Sequence, residues 1–147
     1  MKALVVEDDE VVRRLLKVIL NDHFDLTITK NGPEALRVFE GALQAGKPFG
    51  LVCVDVMMPE MNGVEVLKRL RTIETDFEIY GESCSRVLMV TAVMEKETVA
   101  QAFREGCDGY VIKPLERKEL LRQLQVLKIL PAGSGEKPPS TKGAADD

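Results

Sequence analysis

The chain has 147 residues, of which 45% are hydrophobic and 30% are charged, enough for one folded domain with its own core. Its 20 basic and 24 acidic residues give a net charge of −4, which argues against direct binding to nucleic-acid phosphates. No apolar run approaches the ~18 residues of a membrane span, and acidic residues interrupt the first apolar run too early for a signal peptide. The 3 cysteines form no C-x-x-C pair and indicate free thiols. We therefore expect a cytoplasmic protein without a membrane partner.

The first half of the chain alternates short apolar runs with amphipathic ones. Residues 3–6 and 51–54 are fully apolar and predict buried strands, whereas residues 26–29 alternate and predict a half-exposed strand. The sequence Asn31-Gly32-Pro33 is a typical helix start. Two helices with a core-facing stripe are predicted from apolar residues at helical spacing, Val12, Leu15, Leu16 and Ile19 in the first and Leu36, Phe39 and Leu43 in the second.

The second half continues the alternation. Residues 87–90 predict a fourth strand, residues 110–112 predict a fifth, and Gly106 is expected to cap the helix between them. Residues 72–86 predict an extended third helix and an added loop that turns at Gly81, either a tolerated insertion or a partner surface. Three more helical stripes are predicted, with Val66, Leu70, Ile73 and Phe77 in the third helix, Val99, Ala102 and Phe103 in the fourth, and Leu120, Leu124 and Leu127 in the fifth.

Five strand–helix units in strict alternation predict an α/β domain with a parallel sheet. Right-handed crossovers and helices on both faces leave few topologies, of which the common five-stranded, flavodoxin-like doubly wound sheet has the strand order 2-1-3-4-5. We expect that order, with five helices. The domain should cover residues 1–130. From Pro131 on the only apolar side chains are alanines, so residues 131–147 should form a flexible C-terminal tail.

Polar side chains follow several predicted strands at the edge of the sheet where ligands of such folds bind. Strand 1 is followed by Glu7 and Asp8, strand 3 by Asp55, strand 4 ends at Thr91, and strand 5 is followed by Lys113. Neighbouring strands lie ~4.8 Å apart, so the carboxylates of strands 1 and 3 can reach one ion. Because clustered carboxylates repel each other, they need a cation, and their hard oxygen ligands suit Mg²⁺. A carboxylate beside a metal and a lysine can accept a phosphoryl group as the nucleophile.

With these residues the sequence resembles the receiver domains of response regulators. The resemblance covers about residues 1–130 and rests on four motifs in order, LVVEDD from Leu4, VDVMMPEMNG from Val54, MVTA from Met89 and GYVIKP from Gly109. The second motif is highly specific. The resemblance implies a signalling switch of a two-component phosphorelay, of the single-domain chemotaxis type.

The resemblance also implies how the acidic residues are used. Asp55 would be the phosphoacceptor, which makes the chain a phosphoprotein. Mg²⁺ would be bound by Asp8, by Asp55 and by the main-chain carbonyl of Met57, while Glu7 would act through a bound water. Glu7 stands where an aspartate is often found, and its longer side chain should still reach that water.

Further roles are implied at the ends of the last two strands. Thr91, Ala92 and Lys113 would bind the phosphoryl group. Thr91 and Tyr110 would form the switch, in which the threonine hydroxyl moves toward the phosphoryl group and Tyr110 turns inward. The peptide bond before Pro114 is expected to be cis.

The resemblance implies protein partners at both ends of the signal. The phosphoryl donor would be the phosphohistidine of a sensor histidine kinase or of a phosphotransfer protein. The output would be a downstream protein bound at the face of strand 4, helix 4, strand 5 and helix 5. The domain would not be an enzyme in the usual sense, since it would catalyse only its own phosphorylation and slow autodephosphorylation.

Three alternatives stay open. The chain could be a receiver fragment of a larger regulator. It could be a Mg²⁺-dependent phosphatase with an aspartyl nucleophile, although such enzymes usually have a second acid two residues after the nucleophile, where this chain has Met57. It could also be a flavodoxin-like FMN-binding protein, although the acidic residues after strand 1 would repel a phosphate group.

Overall fold

The computed structural model describes residues 1–132, and within them strands and helices alternate as the sequence predicts. The strands are β1 (Lys2–Val6), β2 (Asp25–Thr29), β3 (Leu51–Val54), β4 (Arg86–Thr91) and β5 (Gly109–Ile112). The helices are α1 (Glu10–Leu20), α2 (Gly32–Gln44), α3 (Gly63–Asp76), α4 (Lys96–Arg104) and α5 (Arg117–Val126). A short 3-10 helix, Gly81–Ser83, lies between α3 and β4.

The strands form a parallel sheet in the order β2-β1-β3-β4-β5, which confirms the predicted order and fold class. The central strands β1, β3 and β4 are buried along almost their whole length, as expected of apolar runs inside a parallel sheet. The edge strands β2 and β5 carry more of the exposed positions. Within residues 1–132 no helix is long and apolar enough to cross a membrane.

The chain divides into two compact units, one of residues Met1–Leu115 and one that begins at Glu116. The first unit contains the sheet, the helices α1 to α4 and a core cluster of apolar residues from the central strands, α2 and α3. The second unit contains α5, in which three leucines are fully buried, Leu120, Leu121 and Leu124. The predicted flexible tail lies outside the described residues from position 133 on, and its boundary at residue 130 stays a prediction.

Side-chain caps fix where the helices next to the strand ends begin. The carboxylate of Asp9 accepts hydrogen bonds from the amides of Val11 and Val12, at 2.8 and 3.3 Å, and so caps α1. Asn31 caps α2 and Asn62 caps α3 in the same way. As a result, α1 starts two residues after the acidic pair that follows β1, and α3 starts directly after the loop that follows β3.

The core-facing stripe of α1 differs in part from the predicted one. Leu16 and Ile19 are buried as expected, and Leu20 joins them. Leu15 is 38% exposed, because the centre of the buried face falls one residue later than the sequence spacing indicates. Val18 on the same helix is 66% exposed.

Segment 72–86 is tied to the rest of the first unit by a polar network. Glu74, near the end of α3, is 2% exposed and accepts hydrogen bonds from Arg71 at 2.6 Å and from the amide of Ser85 at 2.7 Å. Arg71 also donates to the carbonyl of Gly106 at 2.7 Å and pairs with Asp108 at 3.2 Å. The network therefore joins the end of α3 to the start of β4 and to the loop before β5.

Candidate functional site

The register of the sheet brings the predicted acidic residues together. Val6 of β1 pairs with Val54 of β3, so Glu7 and Asp55 follow their strands side by side. Carboxylate oxygens of Glu7, Asp8 and Asp55 all lie within 4.8 Å of one another. The distance is short enough for one small cation to contact more than one of them.

Lys113 reaches this acidic cluster from β5. Its Nζ lies 3.1 Å from Oε1 of Glu7 and 3.2 Å from Oδ2 of Asp55. Its amide donates to the carbonyl of Thr91 at 2.9 Å, which fixes the residue at the end of the strand. The peptide bond between Lys113 and Pro114 is cis, as the resemblance to receiver domains implies.

Burial shapes the electrostatics of this cluster. Glu7 is 1% and Asp55 is 5% exposed, while Asp8 is open to solvent. Burial, together with the charge of Asp55, raises the pKa of Glu7 to about 7, although Lys113 opposes the shift. Burial alone would lower the pKa of Lys113, but the charges of Glu7 and Asp55 outweigh it and raise that pKa above its usual value.

The chemistry of these side chains fits Mg²⁺. The carboxylate oxygens are hard ligands, and no histidine or thiol belongs to this cluster of the described residues. When all three carboxylates are ionised, the ammonium of Lys113 leaves two negative charges in excess, which one Mg²⁺ would balance. The exposure of Asp8 leaves one side open to water, and Mg²⁺ usually keeps several water ligands.

Steric crowding explains why a glycine, Gly63, stands at the end of the second sequence motif. A Cβ atom at Gly63 would lie 2.7 Å from the carbonyl carbon of Asp55 and 2.9 Å from Cα of Val56. The amide of Gly63 donates to the carbonyl of Val56 at 2.9 Å. The start of α3 therefore packs directly on the backbone of Asp55, which only a residue without a side chain permits.

The structure places the other predicted site residues around Asp55 without joining all of them to it. The amide of Met57 donates to Oδ1 of Asp55 at 3.2 Å, while the Met57 side chain is 66% exposed. Thr91 is fully buried, and Ala92 is exposed. The hydrogen bonds of the described residues do not link Thr91 to Asp55.

Thr91 and Tyr110 are instead connected through the backbone of Val93. The hydroxyl of Thr91 accepts from the amide of Val93 at 3.3 Å, and the hydroxyl of Tyr110 donates to the carbonyl of Val93 at 2.8 Å. Tyr110 is half-buried and packs against the core cluster. The phenol of Tyr110 thus has a main-chain acceptor in this conformation, and the switch of Thr91 and Tyr110 stays a prediction.

The main-chain contacts of Val93 and the role of Arg13 escaped the sequence reasoning. Val93 joins the proposed switch pair through its main chain, to which its side chain gives no signal. Arg13 donates from one guanidinium nitrogen to the main-chain carbonyls of Glu7 and Asp8, at 3.0 and 2.8 Å. The available signal was its position one helical turn after the cap of α1, facing back toward the acidic loop.

Residues 3–125 match the family described as the response regulator receiver domain. The transcriptional regulatory protein SrrA of Staphylococcus aureus is 30% identical over 125 residues, which are 84% of this chain and 46% of that protein. The chain therefore spans about half the length of this curated relative.

Solved structures agree with this family. The chemotaxis protein CheY4 of Vibrio cholerae superimposes with a TM-score of 0.70 at 27% identity, over 85% of this chain and 96% of that one. The Borrelia burgdorferi complex of CheX and CheY with BeF3 and Mg²⁺ matches with a TM-score of 0.72 at 21% identity, over 88% of this chain and 90% of that one. Because family and fold agree over most of the length, the chain belongs to the response regulator receiver family and is a receiver domain of two-component signalling.

Proposed function

We propose that the chain accepts a phosphoryl group on Asp55 and signals through the conformational change that follows. The observation that carries this proposal is the buried carboxylate of Asp55 between the ammonium of Lys113 and the carboxylates of Glu7 and Asp8. A buried nucleophile with a fixed cation beside it is the arrangement that phosphoryl transfer to a carboxylate needs.

The donor in this proposal is a phosphohistidine of a sensor kinase or of a phosphotransfer protein. An oxygen of Asp55 attacks the phosphorus and forms a P–O bond, while the P–N bond breaks and the imidazole nitrogen leaves with the electron pair. Lys113, which lies 3.2 Å from Asp55, is placed to stabilise the charge on the transferred group. Water later cleaves the acyl phosphate slowly and returns Asp55 to its free form.

The residues proposed to hold Mg²⁺ are Asp8, Asp55 and the main-chain carbonyl of Met57, with Glu7 acting through a water. When bound, Mg²⁺ would neutralise charge on the phosphoryl oxygens. The hydroxyl of Thr91, the main chain of Ala92 and Lys113 are proposed to bind the phosphoryl group. The Borrelia neighbour was solved in a complex containing BeF3 and Mg²⁺, and we propose the same kinds of ligand here.

For the output we propose a partner surface on α4 and β5. Phe103, which the helical spacing predicted to face the core, is instead 47% exposed, and Ile112 is 37% exposed. The ring of Tyr110 lies 6.5 Å from that of Phe103, centroid to centroid. A change at Tyr110 would therefore alter an exposed apolar surface of the kind that protein partners bind. The first unit supplies all three residues.

A second candidate is supported by one observation. The chain spans 46% of SrrA, so it is also compatible with being the receiver part of a longer regulator. The phosphotransfer chemistry proposed for Asp55 would be the same in that case, and the output would then pass to the attached segment.

The proposal is tested by treating the protein with a small-molecule phosphodonor and Mg²⁺ and measuring its intact mass. We expect the mass of one phosphoryl group to be added and Asp55→Asn to abolish most of the labelling. Asp9→Asn is the matched control, because Asp9 lies in the same acidic stretch but caps α1, and asparagine can keep that cap. Undiminished labelling of Asp55→Asn, mapped to a serine or threonine, would contradict the proposal.

A further inference from the structure

The side chain of Arg13 is bound to the main chain of the acidic loop. Its guanidinium donates to the carbonyls of Glu7 and Asp8, at 3.0 and 2.8 Å. Although carboxylates are the usual partners of arginine, Arg13 takes part in none of the salt bridges of the described residues. The hydrogen bonds of its guanidinium are therefore made to the main chain of the loop.

The two carbonyls belong to the peptide groups on either side of Asp8. Holding both of them restrains the φ and ψ angles of Asp8, and these angles set the direction of the Cα–Cβ bond from which its carboxylate extends. Among the described residues, no hydrogen bond or ion pair holds the Asp8 carboxylate itself, which is exposed. By contrast, Glu7 is held by Lys113 and by the bond of its amide to Thr29 of β2 at 3.1 Å.

We propose that Arg13 is a positioning residue for Mg²⁺, which acts by fixing the backbone on both sides of Asp8. This inference rests on the proposed function, in which Asp8 is a metal ligand. A carboxylate that is already oriented loses less conformational freedom when it binds an ion, so its affinity is higher.

Charge alone makes the opposite prediction. The guanidinium is a positive charge near a cation site, so neutralising it should strengthen Mg²⁺ binding if position were irrelevant. The positioning role demands that the same change weaken binding. The sign of the effect therefore separates the two explanations.

The experiment measures Mg²⁺ affinity by isothermal titration calorimetry and the free energy of unfolding in urea without Mg²⁺. Arg13→Met keeps the length of the side chain but removes the charge and the donors. We expect its Mg²⁺ affinity to fall about 10- to 100-fold, as when other groups that orient metal ligands are lost. Arg14→Met is the matched control, because Arg14 is on the same helix but forms an exposed pair with Glu10. Its affinity should stay within about twofold.

Equal or tighter binding by Arg13→Met, together with normal binding by the unmodified protein, would overturn the positioning role alone. A lower free energy of unfolding with unchanged Mg²⁺ affinity would also overturn it, because the contact would then be purely structural. If Arg13→Met does not fold, Arg13→Lys decides. It keeps the charge but lacks the planar fork, and we expect a loss of about threefold or more, whereas wild-type affinity would contradict the role. No saturable Mg²⁺ binding by the unmodified protein would overturn the proposed function instead.

Discussion

At the scale of single residues, the side chains of Met57 and Val93 lack the polar groups that would assist hydrolysis of a phosphoryl group on Asp55. Met57 follows two residues after Asp55 and is 66% exposed, yet its thioether cannot orient a water for attack on an acyl phosphate. Val93, at the corresponding distance from Thr91, offers no polar side chain either. The proposed phosphoryl group should therefore be long-lived, since nothing in these two positions assists hydrolysis.

This argument predicts the effect of a polar residue at position 57. Met57→Asn should speed dephosphorylation about fivefold, equivalent to about 1 kcal/mol in the barrier, because an amide can position the attacking water. The rate is measured as the loss of phosphorylated intact mass after the donor is removed. Met94→Asn is the control, since Met94 is 67% exposed and lines the same surface groove as Met57. An unchanged rate with Asn, Glu and Lys at position 57 would refute the argument.

At the scale of elements, α3 is held at its start by close backbone packing and near its end by a polar network. Its first residue, Gly63, packs on the backbone of Asp55, and its last turns are joined through Arg71 and Glu74 to β4 and the loop before β5. These contacts hold α3 between the loop that follows Asp55 and the polar network. The stability of segment 72–86 should depend on the buried carboxylate at its start.

Removing that carboxylate should be costly. Glu74→Ala should lower the free energy of unfolding by about 2–3 kcal/mol, because the buried amide of Ser85 and the guanidinium of Arg71 lose an acceptor. Glu65→Ala on the same helix is the control, since Glu65 forms an exposed pair with Arg69 whose loss should change the free energy of unfolding much less. Both values come from urea unfolding followed by circular dichroism, and equal losses for the two variants would contradict this view of the network.

The elements also show what sequence alone can establish. The central strands were predictable because each is an apolar run that the sheet buries, β2 was predictable from its alternation, and the strand ends then placed Glu7 and Asp55 side by side. The exposure of Leu15 was not predictable, because apolar residues at helical spacing do not fix which of them lies at the centre of the buried face. The contacts of Arg13, and those of Arg71 with the carbonyls of Ser85 and Gly106, were also hidden, since main-chain carbonyls carry no residue-specific signal.

At the scale of the whole molecule, the cluster of acidic side chains should make the free energy of unfolding depend on the concentration of Mg²⁺. Glu7, Asp8 and Asp55 repel one another when no metal is bound, and only one ammonium among the described residues opposes them at short range. A ligand that binds the folded state alone stabilises it, by about 2.7 kcal/mol at a concentration one hundred times its dissociation constant. Mg²⁺ should therefore raise the stability of the chain.

One variant separates the repulsion from the binding. Asp8→Asn should raise the free energy of unfolding without Mg²⁺ by about 0.5–1 kcal/mol, since it removes one of three like charges, and should lose most of the gain produced by Mg²⁺. The measurement is urea unfolding with and without Mg²⁺. Asp9→Asn serves as the control and should keep the full gain. A full gain in Asp8→Asn would mean that another acid is the ligand.

The two contacts of Lys113 have a consequence for how the switch operates. The ammonium bridges Glu7 and Asp55, so it serves as a built-in counter-ion for these two carboxylates. The proposed phosphorylation of Asp55 would then require an exchange of partners within the site, and no cation would have to be recruited from solvent to the position of Lys113. Lys113 thereby offsets part of the negative charge at Asp55 that would attract the proposed Mg²⁺, so filling the site should need a higher ion concentration than unpaired carboxylates would require.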